Sequence, residues 1–296
     1  MDSTLLSGVL PTLMDDPVSY AIPFFGVALL LEWLAAARTA QQDAQRPPRG
    51  AYLKADAWAS IRMGAVSILT SAVFNTVGLI GYAALYVYVA PWHLSFDAWY
   101  SWVFAIVGVD LIYYTYHRMA HRVRVLWATH QAHHSSEYFN FATALRQKWN
   151  PSGDVLMRAA LPLLGVPPAM VFAAYSINLV YQFWVHTERV GRLWAPIEFI
   201  FNTPSHHRVH HGMDRQYLDR NYGGILIIWD RIFGSFTVET SRPHYGLTKP
   251  VHTYRIWELQ TYEYLAMTRD MRNARTWRDR MGYLAGPPGW RPADDR

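Results

Sequence analysis

Eight histidines lie in three short groups of the sequence, and their spacing is typical of metal ligands. HRMAH at 117–121 places two histidines four residues apart, whereas HQAHH at 130–134 and HRVHH at 207–211 each place three at positions i, i+3 and i+4. Residues spaced in this way share one helical face, so each triplet is expected to converge its rings on one point. The eight are His117, His121, His130, His133, His134, His207, His210 and His211.

The number of ring nitrogens indicates more than one ion. A tetrahedral catalytic zinc takes three protein ligands and a water, which eight histidines exceed. His186, at the end of an apolar segment, is a candidate ninth ligand, and His206 lies outside the spacing of its group. The sequence therefore predicts two ions with four or five ligands each and an open position. Imidazole suits iron, zinc, copper or nickel.

Two polar residues on the same helical faces are candidate catalytic residues. Gln182, four residues before His186, is placed to bond a metal-bound water. Asp110, two turns before His117, is placed to accept an imidazole N–H. Hydrogen bonds between helices explain both residues equally well. Arg118 stands where a zinc peptidase of the HExxH type has its glutamate, which argues against peptide hydrolysis.

The composition indicates a membrane protein. The 296 residues are 51% hydrophobic, 15% aromatic and only 17% charged, where soluble domains have about 25%. Cysteine is absent, which excludes disulfides and thiolate metal sites within the chain. The net charge of +5 is modest and no nucleic-acid-binding module is recognisable, so nucleic acid is not an expected partner.

Four apolar blocks predict the architecture. No Lys or Arg precedes the first block, so it indicates a retained membrane helix. GVPP at 165–168 divides the last block, and its first piece is too short to cross a core of about 30 Å. That block is therefore predicted to be a re-entrant hairpin. Apolar core helices of a soluble protein are the alternative. The blocks are 21–37, 63–90, 98–116 and 155–185.

The resulting prediction is an all-α, integral membrane helical bundle that forms one domain over 1–296. A cytoplasmic helical cap, 117–154 and 186–296, would carry the two-metal site. Lys and Arg follow the first and third blocks, the segment 91–97 has neither, and acidic residues precede the first block. This places the cap in the cytoplasm of a multi-pass membrane protein. The residues are Asp2, Asp15, Asp16, Arg38, Arg46, Arg49, Lys54, Arg62, Arg118, Arg122, Arg124, Arg146 and Lys148.

The pattern HRMAH, HQAHH and HRVHH resembles the three-box signature of the fatty acid hydroxylase and sterol desaturase superfamily, which are membrane di-iron oxygenases. Three flanking segments are similar to its alkylglycerol monooxygenase branch and bacterial relatives, and the likeness covers about 110–236. They are WATHQAHHSSEYFNFATALRQ (127–147), QFWVHTE (182–188) and NTPSHHRVHHGMDRQYLDRNYGGILIIWDRIFGSF (202–236).

The resemblance implies that two irons use O2 to hydroxylate or desaturate a lipid C–H bond, with zinc able to replace iron in purified protein. No segment resembles a cytochrome b5 or flavin domain, and an iron–sulfur cluster needs cysteine, so a separate electron donor is expected. Use of a reduced pterin stays open, because Arg122 stands where the animal ether-lipid enzymes have an acidic residue and the C-terminal end is shorter. The oligomeric state is not predicted.

Two other classes of function are weighed against this one. A membrane metal-ion transporter would spread its ligands along a path through the bilayer. A non-catalytic lipid-binding protein would have lost ligands, yet all three boxes are complete.

Two segments have two interpretations each, and the C-terminal segment has a predicted membrane role. The segment 221–236 is a flap or a packing element. The segment 135–147 contacts headgroups through Glu137 and Arg146 or is a surface helix. The C-terminal segment suits an anionic leaflet through Trp257, Trp277, Arg269, Arg272, Arg275, Arg278 and Arg280.

Overall fold

A computed structural model of the chain describes residues 16–39 and 48–292. These residues form thirteen helices and no β-strand, with two isolated β-bridges, so the all-α prediction is confirmed. The helices are α1 Pro17–Thr39, α2 Lys54–Tyr88, α3 Trp99–Arg122, α4 Arg124–His134, α5 Phe141–Ala144, α6 Ser152–Arg158, α7 Ala160–Leu163, α8 Pro168–Trp184, α9 Ala195–Ile200, α10 Pro204–His210, α11 Ile228–Ile232, α12 Ile256–Asn273 and α13 Trp277–Ala285.

The first two apolar blocks form helices that are long and apolar enough to cross a membrane. α1 has 23 residues and α2 has 35, with a mean hydropathy of 1.7 in the most apolar stretch of each. Only 17% of each stretch is buried, and residues such as Phe24 and Leu69 are exposed. The core helices of a soluble protein would be buried, so these surfaces favour a lipid environment. α2 is one continuous helix.

The third and fourth blocks do not reach that combination of length and hydropathy among the described helices. α3 contains Asp110 and the first histidine box, and α8 has only 17 residues. Their insertion in a membrane, the four-block bundle and the cap therefore remain predictions. Asp2, Asp15 and Arg46, on which the orientation partly depends, lie outside the described residues.

The last block breaks at the predicted place. α6 ends at Arg158 and α7 at Leu163, and α8 begins at Pro168 after a turn in which Gly165 has φ 76°. A Cβ at Gly165 would lie 2.3 Å from the carbonyl oxygen of Trp92, so this turn requires glycine. Leu94 N donates to Gly165 O at 2.8 Å. The tip of the hairpin therefore meets the loop that connects α2 to α3.

Small residues let the hairpin pack closely against the longer helices. A Cβ at Gly78 of α2 would lie 2.7 Å from Val155 Cγ1, and one at Gly108 of α3 would lie 2.8 Å from Leu161 Cδ2. Such close approach at glycine is a common way for membrane helices to associate. The contact is part of a buried apolar core formed by Tyr82, Ala105, Val109, Leu161, Val166, Met170, Val171 and Ala174.

Buried carboxylates tie the apolar helices to the histidine-bearing part of the chain. Glu32 of α1 accepts hydrogen bonds from the Tyr52 hydroxyl (2.5 Å), the Phe141 backbone N–H (2.7 Å) and the Thr187 hydroxyl. Asp56 of α2 pairs with Arg146 at 2.6 Å. Arg146 is fully buried in this pair. The prediction that Arg146 contacts a headgroup or lies on a surface helix is therefore wrong.

The C-terminal helices pack on α4. Gln131 Nε2 donates to Leu259 O at 2.6 Å, and Arg124 pairs with Glu263 and Asp270, each at 2.7 Å. The rings of Trp257 and Trp277 point outward and are exposed. This arrangement leaves both rings free for the predicted contact with a leaflet, which stays a prediction.

Candidate metal centre

The structure brings nine histidines into two groups. In each group one ligand atom per residue lies within 4.8 Å of every other. Metal–nitrogen bonds are about 2.0–2.1 Å long, so ligands on opposite sides of an ion lie about 4.2 Å apart. Each group is therefore compact enough to surround one ion. Group 1 consists of His117, His121, His130, His134 and His210; group 2 consists of His133, His186, His207 and His211.

Four separate helices position these side chains. α3 contributes its last two turns, α4 its C-terminal half and α10 its whole length, with His211 at the C-cap of α10. His186 follows the C-cap of α8. None of the nine is more than 8% exposed. All nine predicted ligands come together, and the number per group matches the predicted four or five.

The prediction that each triplet converges on one point is wrong. In both triplets the residues at i and i+4 share a group, whereas the residue at i+3 enters the other group. One residue advances a helix by about 100°, so positions i and i+4 lie about 40° apart and positions i+3 and i+4 about 100° apart. His133 and His210 are the two crossing residues. Each triplet therefore contributes to both groups.

Backbone carbonyls fix the orientation of four rings. The Nδ1 atoms of these histidines face the carbonyl oxygens of Tyr222 (2.9 Å), Arg146 (3.1 Å), Gln182 (2.7 Å) and Arg220 (2.9 Å). A carbonyl only accepts, so each Nδ1 carries the proton and each Nε2 carries a lone pair. Such a contact commonly orients a metal-ligating histidine. The four are His117, His133, His186 and His210.

The Nε2 atoms then face one another without a proton between them. Nε2 of His133 lies 3.3 Å from Nε2 of His186, and both Nδ1 atoms hold their protons against carbonyls. Two lone pairs at this distance repel unless a cation accepts both. Among the described residues, the buried Nε2 atoms of His121 and His211 and the Nδ1 atom of His207 have no hydrogen-bond partner. These residues fit metal ions in both groups.

Burial keeps the rings neutral, which is the form that binds metal. Burial, followed by neighbouring imidazoles, lowers the pKa of His130, His134, His207 and His211 well below 6.5. Burial lowers the pKa of His186 to about 4, although the hydrogen bond to the Gln182 carbonyl acts in the opposite direction. At neutral pH the centre therefore offers uncharged nitrogen donors.

A short loop at 219–222 supplies two of the four carbonyls and was not predicted. Asp219 (φ 59°) and Asn221 (φ 56°) have left-handed backbone conformations, which Asp and Asn tolerate best among residues with side chains. The Asn221 amide donates to His206 O (3.1 Å) and Thr237 O (2.8 Å). The loop thus directs Arg220 O and Tyr222 O at the imidazoles. In the sequence, the only signal for this loop was the Asp and the Asn of DRNY (219–222).

Asp110 supports the segment 225–229, which follows this loop, and does not hold an imidazole, which corrects the prediction. Its carboxylate accepts from Ile225 N (2.6 Å), Leu226 N (3.1 Å), Trp229 Nε1 (2.9 Å) and Asn178 Nδ2 (2.7 Å). The imidazole proton of His117 goes to the Tyr222 carbonyl instead. The segment 221–236 is held to the site by these bonds, as its packing interpretation expects.

His206, which lies outside the box spacing, joins neither group, and the predicted bond of Gln182 to a metal-bound water stays a prediction. The Gln182 amide donates to Asn178, and its backbone carbonyl rather than its side chain receives the His186 Nδ1–H. His206 belongs to neither group and contacts Glu198 at 2.9 Å. Although burial acts in the opposite direction, this contact lowers the pKa of Glu198 to about 2.

Comparisons with known proteins agree with the site. Residues 102–235 match the family model described as fatty acid hydroxylase. The chain is 38% identical to alkylglycerol monooxygenase of Homo sapiens over 287 residues, which cover 96% of this chain and 62% of that protein. It is 38% identical to alkylglycerol monooxygenase of Danio rerio over 285 residues, 94% of this chain and 61% of that protein.

The resemblance inferred from the histidine boxes is confirmed by the fatty acid hydroxylase family model, which matches residues 102–235, and by the similarity to the alkylglycerol monooxygenases. An ornithine lipid hydroxylase of Rhizobium tropici is 29% identical over 153 residues, 49% of this chain and 43% of that protein. The chain spans about three fifths of the length of the alkylglycerol monooxygenases that it matches. No solved structure matches it.

Proposed function

We propose that this protein is an oxidoreductase that uses O2 and external electrons to hydroxylate a lipid at two irons held by the nine histidines. The observation that carries the proposal is the approach of the His133 and His186 Nε2 lone pairs to 3.3 Å. A bound cation resolves that repulsion, and the family model that the chain matches points to lipid oxidation. The names of the relatives, monooxygenase and hydroxylase, favour hydroxylation over desaturation.

Bound iron would supply the activation of O2 that an unactivated C–H bond requires; zinc would occupy the same nitrogens without that capacity. The chain holds the histidine nitrogen donors in position before a metal binds. Carbonyls fix His117, His133, His186 and His210, and burial keeps water from competing for the nitrogens. Group 2 has four histidines and group 1 has five, so group 2 has more room for a further ligand.

The setting that we propose is the membrane, with the histidine groups on the cytoplasmic side of a bacterial inner membrane. α1 and α2 would cross the bilayer, as their length and exposed apolar surfaces support. Electrons would come from a separate protein or reductant, since the chain has no cysteine to hold an iron–sulfur cluster. Dependence on a reduced pterin is left open.

A metal-transport function is less well supported by the arrangement of the ligands. The two groups adjoin each other, with the rings of His134 and His211 stacked at a centroid distance of 4.3 Å. A transport path would instead distribute ligands along the apolar helices. Two adjacent groups suit a fixed two-metal centre.

The test is oxygen-dependent lipid modification in membranes that contain wild-type protein or single variants at matched levels. His210→Ala removes a group 1 ligand, and product is expected to fall below detection. His93→Ala is the control and should stay near wild type, because His93 lies in the loop after α2 and its ring contacts Tyr86 of that helix. Lipid mass spectrometry gives the readout. Equal product from both variants would overturn the proposal.

A further inference from the structure

A short segment before the third histidine box has its charged side chain inside and its apolar side chains outside. WAPIEFIF at 194–201 contains seven apolar residues and one charged residue, Glu198. Glu198 is buried, whereas all seven apolar residues are exposed, Trp194 by 73% and Phe199 by 56%. Water favours the opposite arrangement, because apolar side chains gain free energy by burial. The segment therefore suits an environment other than water.

The inward position of Glu198 is fixed by three partners. Its carboxylate accepts hydrogen bonds from Leu193 N at 2.9 Å and from the Thr203 hydroxyl at 2.8 Å. The same carboxylate contacts His206 at 2.9 Å. These contacts hold the one charged side chain of the segment inside the protein, so the face that remains outside is entirely apolar.

The carbonyl groups at the end of α9 receive hydrogen bonds from the protein. Arg231 donates from Nη2 to Glu198 O and from Nε to Phe199 O, each at 3.0 Å. Ile227 N donates to Ile200 O at 3.0 Å. The last carbonyls of a helix have no partner within that helix, and an unpaired carbonyl in hydrocarbon is costly. With these three bonds, the end of α9 can lie in hydrocarbon without that cost.

The end of α11 extends the same apolar surface to α3. Ile232 is 62% exposed and Phe233 is 50% exposed, and the Phe233 ring stacks on Tyr114 of α3 at a centroid distance of 5.5 Å. Val107, two turns before Tyr114 on the same face of α3, is also exposed. The apolar surface therefore continues along α3. We call it the α9–α11 surface, formed by Trp194, Phe199, Ile200, Ile232 and Phe233.

The segment that contains α9 begins and ends at the metal centre. His186 precedes it and His207 follows it, and both belong to group 2. The segment therefore returns to the side from which it starts and does not cross a bilayer. Arg118 and Arg122 lie one and two turns beyond Tyr114 on α3, at the level of the histidines. Arginines at this border complement the charge of anionic headgroups.

We propose that the α9–α11 surface lies among the acyl chains of the membrane leaflet next to the histidines. Lipid is the occupant because the surface continues an apolar face of α3, is bordered by arginines and has its nearby carbonyls paired within the protein. Part of the segment 186–296 is then embedded in the bilayer rather than in the cytoplasm. This inference rests on the membrane setting proposed above and does not depend on hydroxylation.

The experiment measures lipid contact at single introduced cysteines, because the chain has no cysteine of its own. Phe199→Cys and Ile232→Cys are labelled with the fluorophore nitrobenzoxadiazole and reconstituted in vesicles of phosphatidylcholine and phosphatidylglycerol. The two quenchers are phosphatidylcholine with a nitroxide in the middle of its acyl chain and iodide in the water. The controls are Leu69→Cys, on the apolar surface of α2, and Gln216→Cys, after the third box. All four side chains are exposed, so the substitutions should leave the fold intact.

The nitroxide lipid should remove as large a fraction of the fluorescence at Phe199→Cys and Ile232→Cys as at Leu69→Cys. Iodide should quench only Gln216→Cys. Quenching of the two α9–α11 variants by iodide, with Leu69→Cys still quenched by lipid, would overturn this inference alone. Protection of those two variants from both quenchers would mean that protein covers the surface, which would also overturn it. A Leu69→Cys label that the lipid does not quench would overturn the membrane setting and the inference together.

Discussion

His133 and His134 are adjacent in the sequence, yet their rings belong to different histidine groups. Their centroids are 5.4 Å apart and their planes are inclined by 88°. His210 and His211 repeat the relationship, at 5.3 Å and 87°. α4 and α10 therefore each stand between the two groups. This makes the two proposed ions parts of one structural unit, because neither helix can move without affecting both groups.

Asp110 is expected to govern the stability of the centre without binding metal. Asp110→Ala leaves Ile225 N, Leu226 N and the Trp229 indole N–H without their acceptor, and each unsatisfied buried donor costs about 1–3 kcal/mol. The midpoint of thermal unfolding should fall markedly. Part of the metal should be lost as well, since the adjoining loop holds His117 through Tyr222 O.

The matched control for Asp110 is Asp97, an exposed carboxylate in the loop between α2 and α3. Asp97→Ala should leave both the unfolding midpoint and the metal content unchanged. If the two variants unfold at the same temperature, the support that we assign to Asp110 is absent.

The metal-stripped protein is expected to lose stability as the pH falls below about 6.5. Burial lowers the pKa of the imidazoles in the folded state, whereas in the unfolded chain they titrate near 6.5. Below that pH the unfolded state binds more protons than the folded state, so protonation favours unfolding. Unfolding midpoints measured from about pH 7.5 to about pH 5.5 should fall steadily. A midpoint that is constant over this interval would show that the rings are not held neutral.

The sequence predicted which histidines come together but not how they divide between the two groups. The spacing within the boxes located eight of the nine histidines, and the end of an apolar segment marked His186 as the ninth. Which group each ring enters depends on how α4 and α10 sit relative to each other, and no local pattern records that. The helix break at Gly165 was predictable because Pro and Gly act locally.

Long-range polar contacts could not be predicted. Arg146 finds Asp56, 90 residues earlier, and both are buried by the fold. The carbonyls of Arg220 and Tyr222 orient His210 and His117, and a carbonyl has no side-chain signature in a sequence. Asp110 shares a helical face with His117 but turns its carboxylate to the loop at 225–229. The residues that share one face of a helix were thus predictable, whereas the partners that they contact on other elements were not.

The proposed topology predicts that all histidine-bearing segments lie on one side of the membrane. Reporter fusions at Gly50, Leu145 and Arg215 should report cytoplasm, and a fusion at Ser95 should report the opposite side. The loop that contains Ser95 joins the ends of α2 and α3 that lie away from the histidines. Opposite signals from Leu145 and Arg215 would place the histidine boxes on different sides and contradict the fold.

The central claim is that nine histidines form two metal sites, and metal content tests it most directly. Protein purified from iron-replete cells should contain about two ions per chain by elemental analysis. His133→Ala with His207→Ala, both in group 2, should lower this to about one ion, and His244→Ala, at an exposed histidine paired with Asp214, should not change it. Wild-type protein that is folded and contains no metal, or a group 2 double variant that retains both ions, would contradict the account.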